Sequence, residues 1–205
     1  MSLDESAHTQ SSPSRIQQLG EKGERALNDW LQKNGLSFVH ITQSEQTFAP
    51  LFRNAVKRPD FLVLLEAIGI LAVDVKNYTL FENSFFSLNI EHELRKTIAF
   101  ERLFRLPVWY VYMNRQEEGV WYWISALKAL EVGDVRRKGR TGEEFLIIRL
   151  EEFVRVTCND DLAGLYTLRL PSATRLPVEE LRLNANLADK YSITRKNPGR
   201  RKKSK

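Results

Sequence analysis

Apolar and polar positions along the chain alternate in blocks whose periods predict helices at 3.6 residues and strands at 2. Ser12 or Ser14 can cap a helix that runs to about Asn34, with Gly35 as its stop. Ile16, Gly20, Gly23, Leu27 and Leu31 share one face of that helix, Trp30 lies beside them, and Glu24 falls on the shoulder. Each internal glycine costs about 1 kcal/mol against alanine, so the pair points to a late helix start or to close backbone approach. Residues 36–42 alternate as a strand, and a polar loop follows over 43–57.

Residues 58–78 then hold two apolar runs separated by Glu66-Ala67-Ile68-Gly69, which predicts a β-hairpin deep in the core. Its second run, Ile70-Leu71-Ala72-Val73, is apolar on both faces, as a strand covered on both sides should be. A short edge strand is expected at 85–88, and Asn89 can cap a helix over 90–105 that stops before Pro107. Strands are predicted at 107–113 and 120–124, and Ser125 can cap a short helix through Leu130. The charged, glycine-containing stretch 132–144 is read as a loop, with strands at 145–149 and 165–170 and a terminal helix over 177–190. This order predicts an α/β fold, a mixed sheet flanked by helices. The expected organisation is a disordered start over 1–13, one domain over 14–190 and a basic disordered tail over 191–205.

Composition adds little until its distribution is considered. The 205 residues are 42% apolar and 28% charged, ordinary for a globular domain. No apolar run is long enough to cross a bilayer, no signal-peptide core opens the chain, and the single Cys158 rules out an internal disulfide. These features fit a reducing cytoplasm. The net charge of +5 is concentrated in the tail, where residues 195–205 hold seven Lys and Arg and no acid; removing those seven leaves −2 for residues 1–194. Arg200, Arg201, Lys202 and Lys203 belong either to an arm that binds phosphates without sequence preference or to a solubilising terminus.

The chemistry is concentrated at the ends of the hairpin. Asp74 and Lys76 are two apart on a strand and so face the same way. A three-residue loop, 66–68, sets Leu65 opposite Gly69 and Asp60 opposite Asp74, with Cβ atoms about 4.5–5.5 Å apart. An even-length loop would turn Asp60 away. Two close carboxylates repel unless a proton or cation lies between them, and Mg²⁺ with oxygen ligands meets that need. Asp60, Asp74 and the Val75 backbone carbonyl are the candidate ligands, with Mn²⁺ as a substitute, and Lys76 is placed to orient a water or balance phosphate charge. The alternative for these residues is a strand-opening aspartate and an edge ion pair.

Pro59-Asp60 followed by Asp74-Val75-Lys76, preceded by a helix bearing Glu24 in Gly20-Glu21-Lys22-Gly23-Glu24, resembles the PD-(D/E)xK nuclease superfamily, in its resolvase-like and NERD-like branch, over residues 15–125. The resemblance implies a restriction-endonuclease-like fold and a metal-dependent DNA endonuclease whose hairpin acids bind Mg²⁺, whose lysine assists the attacking water and whose Glu24 is an extra ligand or orienter. It also implies a homodimer that cuts two strands. Asp74 stands where resolvase-like members usually carry Glu, and the Gln-x-x-x-Tyr pair of RecB-like exonucleases is missing. Lys57, Arg58, Arg95 and Lys96 are candidate phosphate contacts, with Arg102 on the same helix. The competing class is a non-catalytic nucleic-acid-binding or assembly module that kept the fold. Trp109, Tyr110, Tyr112, Trp121, Tyr122 and Trp123 lie on alternating strands and are expected to pack the core rather than to stack bases. His8, His40 and His92 have no ligand-spaced partners, which argues against a zinc site.

Overall fold

In a computed structural model the described residues are 14–44, 49, 52, 54–66, 68–82, 84–139 and 141–167. The chain divides into a compact unit Met1–Arg169 and a segment Leu170–Lys205. The expected helix over 177–190 and the basic tail lie outside the described residues.

The first helix, α1 (Arg15–Lys33), begins at Ser14, whose hydroxyl accepts the Gln17 N–H while Gln17 reaches back to the Ser14 N–H. This reciprocal box satisfies two of the free N–H groups at a helix start. Asn34 closes the helix, and Gly35 at φ +67° turns the chain into β1 (Ser37–His40). The hairpin follows as β2 (Phe61–Leu65) and β3 (Gly69–Tyr78), joined by the three residues 66–68 with Leu65 opposite Gly69. Gly69 takes φ +99°, a value that L side chains rarely adopt.

The remaining elements are β4 (Phe85–Asn89), α2 (Arg95–Phe104), β5 (Val108–Asn114), β6 (Trp121–Ser125), α3 (Ala126–Val132), β7 (Asp134–Arg137), β8 (Glu144–Arg149), β9 (Val154–Val156) and α4 (Ala163–Thr167). Six strands form one sheet in the order β1-β2-β3-β5-β6-β9, in which only β3 and β5 are parallel. Joining two parallel neighbours requires a crossover, and β4 with α2 supplies it. A second antiparallel sheet runs β4-β8-β7. The fold class is therefore α/β: a mixed sheet flanked by helices.

Strand alternation divides the apolar side chains between two cores. Phe61, Val63, Leu71, Val73, Trp109, Val111 and Trp123 pack against Leu27 and Leu31 of α1. On the opposite face Ala72, Tyr110, Tyr112 and Ile124 meet Phe100 of α2, Ala126 and Ala129 of α3, and Phe86, Leu146 and Ile148 of the small sheet. The tryptophans and tyrosines of β5 and β6 are thus core residues. Gly23 is where α1 touches β3, since a Cβ there would stand 3.0 Å from the Asn77 Cβ and 3.4 Å from the Val75 Cγ1. Gly20 has open space around it.

Two expectations are corrected. The stretch 132–144 contains β7, paired with β8; all four of its residues are exposed, so no apolar alternation announces it. Within 165–170, the described part is helix α4, which buries Leu165 close to Leu162. So short an apolar run does not distinguish a period of 2 from one of 3.6. The strand β9 was also not anticipated; it is three residues long.

Candidate active site

The six-stranded sheet opens where β2 ends and β3 continues. Asp60 lies one residue before β2, next to the last paired position, Phe61–Val73. Its main chain closes both neighbouring strands: its N–H donates to the Val73 carbonyl and its carbonyl accepts the Ile41 N–H, each at 2.8 Å. Its Oδ2 then accepts the Val75 N–H at 2.7 Å, filling a ladder position that the β2 backbone has left. On a strand the N–H and C=O of one residue point to the same side, so the Val75 carbonyl is directed to the side where Asp60 stands.

Asp74 and Lys76 project from β3 to the face that carries Tyr110 and Tyr112. Asp74 is only 1% exposed. Lys76 Nζ lies 2.6 Å from its Oδ2, and Lys57 Nζ lies 2.8 Å from its Oδ1. Both ammoniums also reach Glu93 Oε2, Lys57 at 2.5 Å. Two acids and two bases thus alternate in a ring. Each Asp74 oxygen is thus paired with one ammonium. Lys76 Nζ further lies 5.8 Å from the centre of the Tyr110 ring.

Glu93 arrives from the wide turn Ile90–Leu94 that precedes α2. Asn89 caps this turn through the His92 N–H, and the Arg95 N–H bonds the Ile90 carbonyl five residues back. Such π-wound turns recur at functional sites. The Lys57 N–H donates to the Lys96 carbonyl at 3.3 Å, which ties the segment before Asp60 to the same helix.

The electrostatics follow from burial. Burial first, then the Asp74 charge, push the Asp60 carboxyl up to about 8, against the pull of Lys57 and the Val75 N–H. Asp74 is buried more deeply, which raises its pKa, yet the Lys57 and Lys76 ammoniums outweigh that and hold it below the usual carboxylate range. Burial also works against the charge on Lys76, but Asp74 and Glu93 hold its pKa well above the ordinary value. Burial and the neighbouring Lys76 charge work against the charge on Lys57 as well, and Asp74 and Glu93 again outweigh them and raise its pKa. Among the described residues Asp60 Oδ1 has a single long contact, 3.5 Å from the Gln43 amide nitrogen.

The sequence candidates separate accordingly. Asp60, Asp74 and Lys76 come together. Glu24 stays at the flank, its Oε2 3.4 Å from His40 Nε2 and its charge felt by Asp60; it shares a shallow hollow with Glu21, Arg25, Asn28, His40 and Phe61. Lys57 lies inside the cluster rather than on a surface track. Arg58 donates to the Gln43 and Ser44 carbonyls, Arg95 pairs with Glu91 at 3.0 Å, and Lys96 is half-buried on α2. Arg200, Arg201, Lys202 and Lys203 lie outside the described residues.

Sequence reasoning missed Glu93. An acid in the first turn of a capped helix reads as a complement to the helix dipole, and nothing local shows that it faces β3.

The oxygen donors at the open end of the sheet fit a hard divalent cation. Among the described residues Asp60 Oδ1 has one long contact, Asp74 offers two oxygens that are paired with ammoniums, and the Val75 carbonyl faces the side where Asp60 stands. Among the described residues no group of three or more His, Cys, Asp and Glu side chains is gathered closely enough to hold a metal alone. Two carboxylates and a carbonyl, completed by waters and substrate oxygens, are what Mg²⁺ accepts.

No protein-family model matches this chain, and no curated protein matches it. Among solved structures it is similar to Hjc, a Holliday junction resolvase from the archaeal hyperthermophile Archaeoglobus fulgidus. The likeness covers 63% of this chain and 88% of that one, at 16% identity and a TM-score of 0.42. Likeness of that degree leaves the functional reading to the residues themselves. Among the described residues no helix is long and apolar enough to cross a membrane.

Proposed function

We propose that this chain is a Mg²⁺-dependent DNA endonuclease with a restriction-endonuclease-like core, hydrolysing phosphodiester bonds at Asp60, Asp74 and Lys76. One observation carries the reading: two carboxylates meet at the open end of a buried hairpin, with a lysine two residues beyond the second. Burying charge is expensive unless it is compensated, and a cluster that keeps Asp60 protonated and Asp74 between two ammoniums serves packing poorly.

In this reading Asp60, Asp74 and the Val75 carbonyl hold the cation, which supplies Lewis-acid stabilisation of phosphate charge and a more acidic bound water. The chain's own groups do the rest. The Asp60–Val75 hydrogen bond fixes one carboxylate against the β3 backbone, so it is oriented before substrate arrives. Lys76, held rigidly on the strand and charged at any working pH, balances negative charge on the transferring phosphate and orients a water. Glu24, beside Asp60, orients or supplements this set from α1. Arg95, Lys96 and the basic tail contribute phosphate contacts, and a homodimer would address both strands.

Purified protein should nick or cut DNA with Mg²⁺ or Mn²⁺ and not with EDTA. Asp74→Asn and Lys76→Ala should abolish cleavage while retaining most DNA binding. If no linear, branched or single-stranded DNA is cut under any of these metals, the enzymatic reading fails and a binding module remains.

A further inference from the structure

The small sheet keeps apolar side chains on the face turned away from the core. β4 and β8 send Phe86, Leu88, Leu146 and Ile148 inward, and directly opposed residues of an antiparallel pair share a face. The pairs Phe85–Arg149, Ser87–Ile147 and Arg136–Phe145 therefore stand on the outer face. There Phe85, Phe145 and Ile147 are half-buried and Arg136 and Arg149 are exposed. Phe81, bridged to Phe85 and 48% exposed, extends the row. Among the described residues Phe81, Phe85, Phe145 and Ile147 belong to neither core. We infer that this outer face docks unpaired DNA, whose bases stack on the phenylalanines while Arg136 and Arg149 meet its phosphates, so that the substrate carries a single-stranded segment. This rests on the nuclease reading above.

An antiparallel sheet with one face on the core is expected to be polar on the other, so aromatic side chains kept there point to a partner. Rings beside guanidinium groups fit nucleic acid, because every base offers a π-face and every nucleotide a phosphate. Charge complementarity selects the same partner. Residues 136–140 read Arg-Arg-Lys-Gly-Arg, and no acid occurs from 135 to 142. Arg136, Arg137 and Lys138 are all exposed. Arg137 pairs with Glu144 at 2.6 Å and Arg149 with Glu151 at 3.4 Å. Such exposed pairs contribute little, and a phosphate can replace them. Asp134, opposite Ile147, is an acid on this face, on the strand farthest from β4. At the Phe85 end a hollow of about 570 Å³, lined also by Tyr122, Phe153, Arg149 and Arg155, has room for a base. At the other end Asn89, opposite Phe145, caps the turn that brings Glu93 to Lys57 and Lys76. A strand lying along β4 is thus led toward the candidate site.

Binding of a fluorescent oligothymidylate to the full chain in EDTA can be followed by anisotropy, with folding checked by circular dichroism. Phe145→Ala should weaken that binding about fivefold or more while changing duplex binding by less than about twofold. Arg136→Gln with Lys138→Gln should lower the slope of log affinity against log salt by about 1. A Phe145→Ala protein that folds and binds oligothymidylate as wild type does overturns the inference. Wild type gives an independent readout should the variant not fold. Ultraviolet cross-links to oligothymidylate, mapped by mass spectrometry, should fall on Phe81, Phe85 or Phe145, and cross-links that avoid all three overturn the inference. A wild-type dimer in sedimentation that Phe145→Ala dissociates, with oligothymidylate binding unchanged, assigns the face to a second copy and also overturns it. The two readings fail separately. DNA cleavage and oligothymidylate binding that both survive Phe145→Ala remove the docking face alone, whereas oligothymidylate binding that depends on Phe145, without cleavage of any DNA, removes the nuclease reading alone.

Discussion

Asp60 Oδ2 accepts the Val75 N–H at 2.7 Å across the end of the hairpin, so one carboxylate both closes the sheet and faces the candidate cation position. The two tasks can be pulled apart by substitution, because asparagine keeps the acceptor and loses the charge.

Asp60→Asn should fold with stability close to wild type at neutral pH and should fail to bind Mn²⁺. Asp60→Ala strands a buried N–H and should cost about 1–3 kcal/mol. Urea denaturation of the two variants beside wild type, with Mn²⁺ titrations of the folded proteins, separates the roles.

The same carboxyl makes stability depend on pH. Its pKa is about 8 in the fold and 3.8 unperturbed, so between those values the folded state binds more protons than the unfolded one. Stability contributed by this group is full below the lower value, falls as pH rises, and is gone above the upper one. The slope is at most about 1.4 kcal/mol per pH unit. Urea midpoints should therefore decline from pH 5 to 8 in metal-free wild type and decline less in Asp60→Asn. Saturating Mn²⁺, which favours the ionised form, should flatten the wild-type profile.

Lys76 is enclosed beside Asp74. Among the described residues Lys76→Met leaves Lys57 as the only cation paired with Asp74 and Glu93, and it should destabilise the fold by about 3–5 kcal/mol, the range for breaking a buried pair from one side. Lys57→Met, at a more open position, should cost less. Chemical denaturation at pH 7 ranks the two, and the reverse order would contradict the difference in enclosure.

The two glycines of α1 should respond in opposite directions. At Gly20 a Cβ meets nothing within 4 Å, so Gly20→Ala should gain up to about 1 kcal/mol from helix propensity. At Gly23 the new methyl would press on Asn77 and Val75, so Gly23→Ala should lose about 1–3 kcal/mol through overpacking. Thermal unfolding of both variants checks the pair.

The hairpin was legible because its information is local. The apolar runs mark two strands, and the loop 66–68 sets their parity, placing Leu65 opposite Gly69 and Phe61 opposite Val73, with no reference to the rest of the chain. The caps at Ser14, Asn89 and Ser125 were legible for the same reason: each side chain bonds a backbone N–H three residues away. The strand β7 was not, because its stability comes from pairing with β8, and its exposed residues Asp134, Val135, Arg136 and Arg137 carry no burial pattern.

By itself the sequence determined which residues lie at the ends of the central hairpin and that a helix bearing Glu24 precedes them, since periodicity, loop length and capping act over a few residues. Only the tertiary structure decided how the buried charge of Asp74 is compensated. Lys57 comes from the loop before β2 and Glu93 from the turn after β4, and nothing near either in sequence says that they meet. Their meeting follows from the packing of α2 against the sheet, and a buried carboxylate attracts whichever cations that packing brings within reach.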